Sequence, residues 1–417
     1  MNIRTSTIYT WLYSVLVLSY IYSVNFKFLS LDTSKITWLA MLTCLFIYLI
    51  FSKEFRFYFL KQFYRFKSFL VFGFLFIVLV FLGLFNNASN FTLAYYTIIY
   101  LVDYLPVSFF LCYLFSKKNV SSIDVIVKAG VIQASLIIGM LLIPSFKHAY
   151  SSLVSISGNI LDYYAYRNVG ITGFANYTVG TTQAMILCLF FLDLIRRNDF
   201  NIKNIFFCIL IFFSAAFSSR SSLVVIVMFF FFFFLPLTKT KYFWEKILPF
   251  LFLSFLGLFI SLFLILNNRE ILNDSFVLKW AIEPILNYVD YGELSTKSSD
   301  TISSFYFYPG DKTFLFGDWH YVNLDGTYYK SVDAGYMRMM LYMGMPVSII
   351  VYVSFIISFV FVSFKYQLLY YKIFSLFFIF IILLLHYKGN AFVDASGMFK
   401  LYFIYFASTF LRCKYEK

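Results

Sequence analysis

The sequence predicts an all-α fold, namely a polytopic helical membrane protein with about twelve transmembrane helices and two sizeable loops. Three observations support this prediction. Hydrophobic residues make up 61% of the 417 residues and charged residues only 13%, a composition far outside that of a soluble globular domain. Apolar stretches long enough to cross a bilayer recur along the whole chain. Basic residues concentrate in the short segments between alternate apolar stretches.

The apolar stretches divide the chain into three parts. The first part, residues 1–266, is a membrane domain of nine spans that includes a loop at about 144–175. The second, 267–334, is a large and mostly polar loop, and the third, 335–417, holds the last three spans. The expected spans are 8–24, 36–52, 68–85, 91–115, 123–143, 176–195, 202–217, 221–237, 247–266, 335–363, 371–387 and 390–411.

The distribution of charge predicts how the chain is oriented. If both termini are cytoplasmic, more than half of the 33 basic residues fall in short cytoplasmic segments, as the positive-inside rule requires. Both sizeable loops then lie on the outer side. Because this asymmetry accounts for the net charge of +13, the charge does not indicate a nucleic-acid partner.

Several kinds of site are not indicated by the sequence. The five cysteines lie in expected spans or at the C-terminus, with no disulfide framework and no zinc spacing. The chain contains no Walker loop, no H-E-x-x-H, no G-x-S-x-G and no D-x-D pair. We therefore expect neither a metal nor a cofactor.

Four arginines fall near the expected outer membrane boundary rather than in the cytoplasmic segments. The guanidinium group is a planar, permanently charged fork that suits phosphate oxygens. Alternatively, such arginines extend to the headgroups of the outer leaflet. The four are Arg167, Arg220, Arg269 and Arg338.

Further candidates lie where the large loop rejoins the membrane. Asp333 precedes the expected helix and is either a general base or an ordinary helix cap. His320 lies among aromatic residues and either takes a proton or is structural. Trp319 and Tyr336 are candidates for stacking on sugar rings, although such aromatics also serve as loop core or interface anchors. Within the expected spans, Asp103 and Lys400 could form a structural ion pair.

The layout and three stretches resemble the Wzy-type O-antigen polymerases, a family of bacterial inner-membrane proteins. The first stretch is Arg167-Asn-Val-Gly170, which leads to Asn176 and Gly180, and the second is Ser218-Ser-Arg-Ser-Ser222. The third is Asp333-Ala-Gly-Tyr-Met-Arg338, followed by Gly344-Met-Pro346. The resemblance implies a glycosyltransferase-C-like layout in the inner membrane, with both loops periplasmic.

The resemblance also implies an activity. Such a glycosyltransferase would polymerise oligosaccharide units carried on undecaprenyl diphosphate, by transferring the growing glycan to the next lipid-linked unit. Arg167, Arg220, Arg269 and Arg338 would bind the diphosphate, and Asp333, His320 and Arg338 would act in catalysis. Trp319 and Tyr336 would bind sugar. Partners would be the lipid-linked glycans, membrane lipid and a chain-length regulator protein.

Three alternatives remain open at the level of sequence. An O-antigen ligase shares the layout and moves finished polymer onto a lipid core. A flippase for lipid-linked units also has about twelve spans, but inverted repeats are then expected. A non-catalytic partner in a polysaccharide-assembly complex would not depend on any single outer arginine.

Overall fold

The computed structural model describes eight segments of the chain. They are residues 3–88, 90–154, 170–172, 177–238, 276–293, 295–323, 325–365 and 369–412.

Within the described segments the chain is helical, in agreement with the predicted all-α class. A π-helical turn, Tyr100–Tyr104, separates α5 from α6, and short 3-10 turns cover Lys67–Phe69 and Tyr329–Ser331. The α-helices are α1 Ile3–Ile21, α2 Thr33–Phe51, α3 Lys53–Arg65, α4 Leu70–Phe85, α5 Thr92–Ile99, α6 Leu105–Lys117, α7 Ser122–Leu142, α8 Pro144–Leu153, α9 Tyr177–Arg197, α10 Ile202–Ser218, α11 Arg220–Thr238, α12 Phe276–Tyr291, α13 Lys297–Ser304, α14 Asp311–Phe316, α15 Gly335–Ser363, α16 Leu369–His386, α17 Ala391–Asp394 and α18 Ser396–Arg412.

Seven stretches of helix are long and apolar enough to cross a membrane, and they coincide with seven of the twelve expected spans. The seven are Thr33–Phe51, Lys67–Phe85, Thr92–Lys117, Ser122–Leu142, Tyr177–Arg197, Gly335–Ser363 and Leu369–His386. Three more expected spans correspond to shorter apolar helices, Ser6–Ile21, Ile202–Ser218 and Arg220–Phe233. The expected span 390–411 is divided between α17 and α18, and 247–266 lies outside the described residues.

Helix α9 lies at the centre of the bundle, where it packs against α7, α10, α11 and α18. Its residues are buried almost throughout, whereas α2 and α4 leave large apolar side chains exposed. An exposed apolar surface suits helices that face lipid, since the bilayer solvates it as well as a protein core would.

One buried charged pair confirms an expectation from the sequence. Lys400 Nζ lies 3.9 Å from Asp103 Oδ2, and it also donates hydrogen bonds to the Tyr20 carbonyl (2.8 Å) and the Ser34 hydroxyl (3.0 Å). The Tyr20 hydroxyl donates to Asp103 Oδ1 at 2.7 Å. Because Asp103 lies in the π-helical turn, this turn brings α1, α6 and α18 together around a satisfied ion pair.

A kink in α15 provides the docking point for the large loop. Gly344 has a φ of 76° inside the helix, and Pro346 follows it. Pro346 lacks the N–H that would reach the Tyr342 carbonyl. Instead, the Trp319 N–H donates to that carbonyl at 2.8 Å, and the Asp318 N–H donates to the Leu341 carbonyl at 2.7 Å.

Two glycines allow this contact to form. Gly317 also has a positive φ, of 71°, and a Cβ on it would collide with the backbone of α15 at Tyr342 and Met343. A Cβ on Gly344 would collide in turn with the Leu315 carbonyl of α14. Backbone therefore meets backbone at this point, and the loop residues that follow Gly317 are held in a fixed position over the start of α15.

Candidate functional site

The side chain of Arg338 is buried in the first turns of α15, between two tyrosine rings. Its guanidinium carbon lies 4.2 Å from the centroid of the Tyr321 ring and 3.8 Å from that of Tyr328. Arg338 is 5% exposed, Tyr321 3% and Tyr328 38%, so Tyr328 forms the solvent side of the stack. Stacking between two aromatic faces fixes the plane of the guanidinium group.

The large loop supplies both tyrosines through a local fold. An isolated antiparallel bridge joins Val322 to Tyr328, and the Asn323 N–H donates to the Thr327 carbonyl at 2.8 Å. This reversal brings residues 321 and 328 to the same side of the loop. Because the backbone after Gly317 is already anchored on the α15 kink, both rings reach the start of the same helix.

Arg338 retains unused hydrogen-bonding capacity in this position. Its Nε and Nη1 atoms have no hydrogen-bond partner among the described residues. Nη1 lies 3.9 Å from Asp333 Oδ1, a distance that gives an ion pair but not a hydrogen bond. Buried donors without partners are costly and uncommon. Two donors of the guanidinium group are therefore available to an acceptor that is not among the described residues.

Asp333 and Lys388 complete the charged environment of Arg338. The Asp333 side chain is 51% exposed. Partial burial raises the pKa of its carboxyl, and the positive charges of Arg338 and Lys388 act in the opposite direction. Lys388 Nζ also donates to the Ser221 hydroxyl at 3.3 Å and lies 5.9 Å from the centroid of the Tyr177 ring.

Lys388 thus links two of the three stretches that the sequence analysis singled out and lies near the start of α9 at Tyr177. Its contact with Ser221 ties the 218–222 hairpin to the Asp333–Arg338 stretch. The hairpin in turn packs closely on α9, because a Cβ at Gly180 would collide with Ser219. The ends of α9, α10, α11, α15 and α16 are in this way assembled at one end of the bundle.

A polar cavity of about 160 Å³ lies at the same end of the bundle. It is bordered by the end of α1, the start of α9, and the short α17 together with the start of α18. Asp394 is the charged residue of its lining and interacts electrostatically with Arg338. Thr172, from the described part of the first expected loop, also borders the cavity.

Arg220 is paired within the protein. Its Nη1 lies 2.7 Å from Glu283 Oε2 on α12, and both side chains are about one fifth exposed. Glu283 Oε1 also accepts a hydrogen bond from the Lys297 N–H at 3.1 Å. The contact joins the hairpin to the large loop. A diphosphate would therefore have to compete with the Glu283 carboxylate for the guanidinium group of Arg220.

The other predicted site residues occupy different surroundings. His320 is exposed, with its ring centroid 5.5 Å from that of Tyr329, and no described contact joins it to Arg338. Trp319 is only 4% exposed and packs against Tyr342. The Tyr336 hydroxyl donates to the Leu383 carbonyl at 2.8 Å, and its ring meets His386 edge-on. Arg167 and Arg269 lie outside the described residues.

Sugar binding by Trp319 and Tyr336 therefore stays a prediction, and in this conformation both side chains are engaged in packing. A stacking platform needs an open ring face. Among the predicted site residues, the structure brings Asp333 and Arg338 together, and it places Arg220 nearby through the Lys388–Ser221 contact.

Several residues of the site were not assigned to it from the sequence. They are Tyr321, Tyr328, Lys388, Asn390, Asp394 and Glu283. One signal could have identified Asp394, because it is an ionisable residue inside an expected span, where such residues usually have partners or function. The tyrosines had no such signal, since the chain contains 35 of them.

Neither a metal site nor a relative adds to this description. Within the described segments, no group of three or more His, Cys, Asp or Glu side chains could hold a metal ion. Comparisons with protein-family models, with curated proteins and with solved structures found no match to the chain.

Proposed function

We propose that this protein is a membrane glycosyltransferase that polymerises oligosaccharide units carried on undecaprenyl diphosphate. It would transfer the growing glycan chain to the next lipid-linked unit, at the periplasmic face of a bacterial inner membrane. The two termini would lie in the cytoplasm, and the end of the bundle that holds Arg338 would face the periplasm. The seven helices that are long and apolar enough to cross a membrane support this proposal, because its substrates are carried on a membrane lipid.

The main observation in support of the proposal is the environment of the Arg338 side chain. A buried guanidinium group, stacked between Tyr321 and Tyr328, retains two atoms without hydrogen-bond partners among the described residues. Phosphate oxygens match the donor geometry of arginine, frequently through two parallel hydrogen bonds. A diphosphate leaving group would accept hydrogen bonds from these donors.

The reaction requires the protein to position both glycolipids, to stabilise the negative charge of the leaving group and to accept one proton. A hydroxyl of the acceptor sugar attacks the anomeric carbon of the donor glycan, and the bond from that carbon to the diphosphate oxygen breaks. The electron pair leaves on the lipid diphosphate, where Arg338 stabilises the developing charge. The hydroxyl proton passes to a nearby carboxylate. Asp333 forms an ion pair with Arg338, whereas the ring of His320 packs beside Tyr329.

No nucleotide is needed, because the sugar–diphosphate bond of the donor is already activated. The protein contributes mainly by positioning two long glycolipids and by stabilising the charge of the leaving group. Lys388 lies beside Asp333 and Ser221 and adds a second positive charge to the same region.

The proposal is tested by deleting the gene in its native host and resolving the surface polysaccharide on a gel. A polymerase deletion leaves a single repeat unit on the lipid core and no ladder. Absence of any glycan on the core would instead indicate a ligase, and absence of surface units altogether would indicate a flippase. An unchanged ladder would rule out all three activities.

Complementation then tests the site. The wild-type gene should restore the ladder, and Arg338→Ala should not, although the variant protein is inserted at a normal level. Arg56→Ala provides the matched control, since the Arg56 guanidinium group is exposed and donates to the Leu49 and Ile50 carbonyls far from the site.

A further inference from the structure

The cavity beside Asp394 has the character of a binding site for a hydroxylated ring. It encloses about 160 Å³, and hydroxyl groups dominate its polar lining. An apolar cavity of about 150 Å³ admits a benzene ring, so this cavity has room for part of a sugar ring with its hydroxyl groups. The polar lining residues that matter here are Tyr22, Thr172, Thr178, Thr182, Asp394 and Ser396.

The Tyr22 hydroxyl and the Asp394 carboxylate have no hydrogen-bond partner among the described residues. The Tyr22 hydroxyl is buried, with the residue 3% exposed, and has no hydrogen-bond partner among the described residues. The Asp394 carboxylate makes no hydrogen bond or ion pair with any residue that the structure describes, although it interacts electrostatically with Arg338. A hydroxyl donor and a carboxylate acceptor without partners match a ligand that carries several hydroxyl groups.

A short chain of contacts connects this cavity to Arg338. The Asn390 amide donates to the Tyr321 hydroxyl at 2.6 Å, and Tyr321 is the inner ring of the arginine stack. The Asn390 carbonyl accepts from the Asp394 N–H at 2.8 Å. One residue therefore positions both the tyrosine under the guanidinium group and the helix turn that carries Asp394.

Building on the proposed function, we infer that this cavity binds the terminal sugar of the lipid-linked acceptor and that Asp394 accepts the proton of the attacking hydroxyl. The acceptor oxygen forms its bond to the anomeric carbon of the donor as its proton moves to Asp394. The bond to the diphosphate breaks on the opposite side of that carbon, toward Arg338. Asp394 is thereby assigned a catalytic role that Asp333 was expected to have.

The positions of the two carboxylates explain why Asp394, and not Asp333, is assigned as the proton acceptor. Asp333 lies between Arg338 and Lys388 and is half exposed, so it serves as the counter-ion that holds the two cations. Asp394 borders the cavity, where a sugar hydroxyl would be within reach. A general base must lie within hydrogen-bond reach of the proton, directly or through one water, and its position at the cavity favours Asp394 for this role.

The test uses purified full-length protein and lipid-linked repeat units extracted from the deletion strain, which would accumulate them. Polymer formation is measured as the concentration of these units is varied. Asp394→Asn should lower kcat by about a hundredfold or more with little change in KM, as expected for loss of a general base. Asp394→Glu should restore part of the rate. Asp333→Asn should retain a larger fraction of kcat than Asp394→Asn.

A second variant examines the pocket without altering a charge. Thr182→Val keeps the shape of the side chain and removes one hydroxyl from the lining. It should raise KM about three- to tenfold, as expected for the loss of one hydrogen bond, and leave kcat unchanged. Asp300→Asn, in the exposed helix Lys297–Ser304, is the matched control for loss of a carboxylate.

The outcomes separate this inference from the proposed function. If the wild-type protein forms no polymer from these units, the proposed function fails. If the wild type is active and Asp394→Asn has a similar kcat, or if Asp333→Asn alone loses the rate, the assignment of Asp394 is overturned. If Asp394→Asn does not fold, Thr182→Val decides, and an unchanged KM would overturn the assignment of the pocket.

Discussion

The guanidinium carbon of Arg338 lies 3.8 Å from the centre of the Tyr328 ring, with the Tyr321 ring on its other face. Arginine suits this arrangement better than lysine, because a planar group can stack on two rings and still direct its N–H bonds outward in the plane. The stack fixes the direction of those donors before any ligand arrives, and such preorganisation is what makes a charge contact effective in catalysis.

The first prediction concerns the geometry of this cation. Arg338→Lys keeps the positive charge but removes the planar fork, so polymer formation should fall by about a hundredfold, close to the effect of Arg338→Ala. The measurement is the rate of polymer formation by purified protein. Arg56→Lys serves as control and should match the wild type. Near-normal activity of Arg338→Lys would mean that charge alone suffices.

The second prediction concerns Tyr328. Tyr328→Phe keeps the aromatic face and should retain activity, whereas Tyr328→Leu should lose about tenfold, since a partly buried cation–π contact contributes roughly 1–2 kcal/mol. The comparison of the two variants in the same assay isolates the ring face from the hydroxyl. Equal losses in Phe and Leu variants would assign the role to the hydroxyl instead.

The sequence was sufficient to predict most of the fold. Apolar stretches mark where helices cross a bilayer, and seven of them match helices of the required length. The Asp103–Lys400 pair, which the sequence indicated only as a possibility, is present in the structure, as the cost of unpaired charge inside a span favours. These features depend on local composition and on the high cost of buried charge.

The site was predictable only in part, because it depends on contacts between distant segments. Asp333 and Arg338 are five positions apart, and their proximity follows from local spacing. In contrast, the Tyr321–Arg338 stack depends on a loop that docks on the Gly344 kink, and the Asn390–Tyr321 hydrogen bond joins residues 69 positions apart. No periodicity along the chain encodes such contacts.

The third prediction addresses Arg220, which the sequence identified without its partner Glu283. If the 2.7 Å contact is chiefly structural, Arg220→Ala and Glu283→Ala should each destabilise the protein by roughly 1 kcal/mol, and the double variant should lose less than the sum of the two. Thermal unfolding in detergent measures the cycle. If Arg220→Ala loses activity and Glu283→Ala does not, Arg220 would instead contact the substrate.

The fourth prediction concerns the buried pair of Asp103 and Lys400. Lys400→Met leaves the Asp103 carboxylate without its counter-charge and should destabilise the protein by about 3–5 kcal/mol. The double variant Asp103→Leu with Lys400→Met should recover much of this loss, because neither charge then remains. Unfolding in detergent measures all three proteins. A double variant that is less stable than Lys400→Met would show that the pair stabilises the fold directly.

The fifth prediction follows from the pKa of Asp333, which partial burial raises above its ordinary value of 3.8 despite the positive charges of Arg338 and Lys388. In the interval between the ordinary and the raised pKa, the folded protein binds more protons at this site than the unfolded chain does. Stability must therefore fall as the pH rises through that interval. Asp333→Asn removes the titration, so its unfolding temperature relative to the wild type should increase as the pH is raised from about 3.8 through the raised pKa. Melting curves of the two proteins across this range measure the difference. A difference that is constant with pH, or one that shrinks, would contradict the raised pKa.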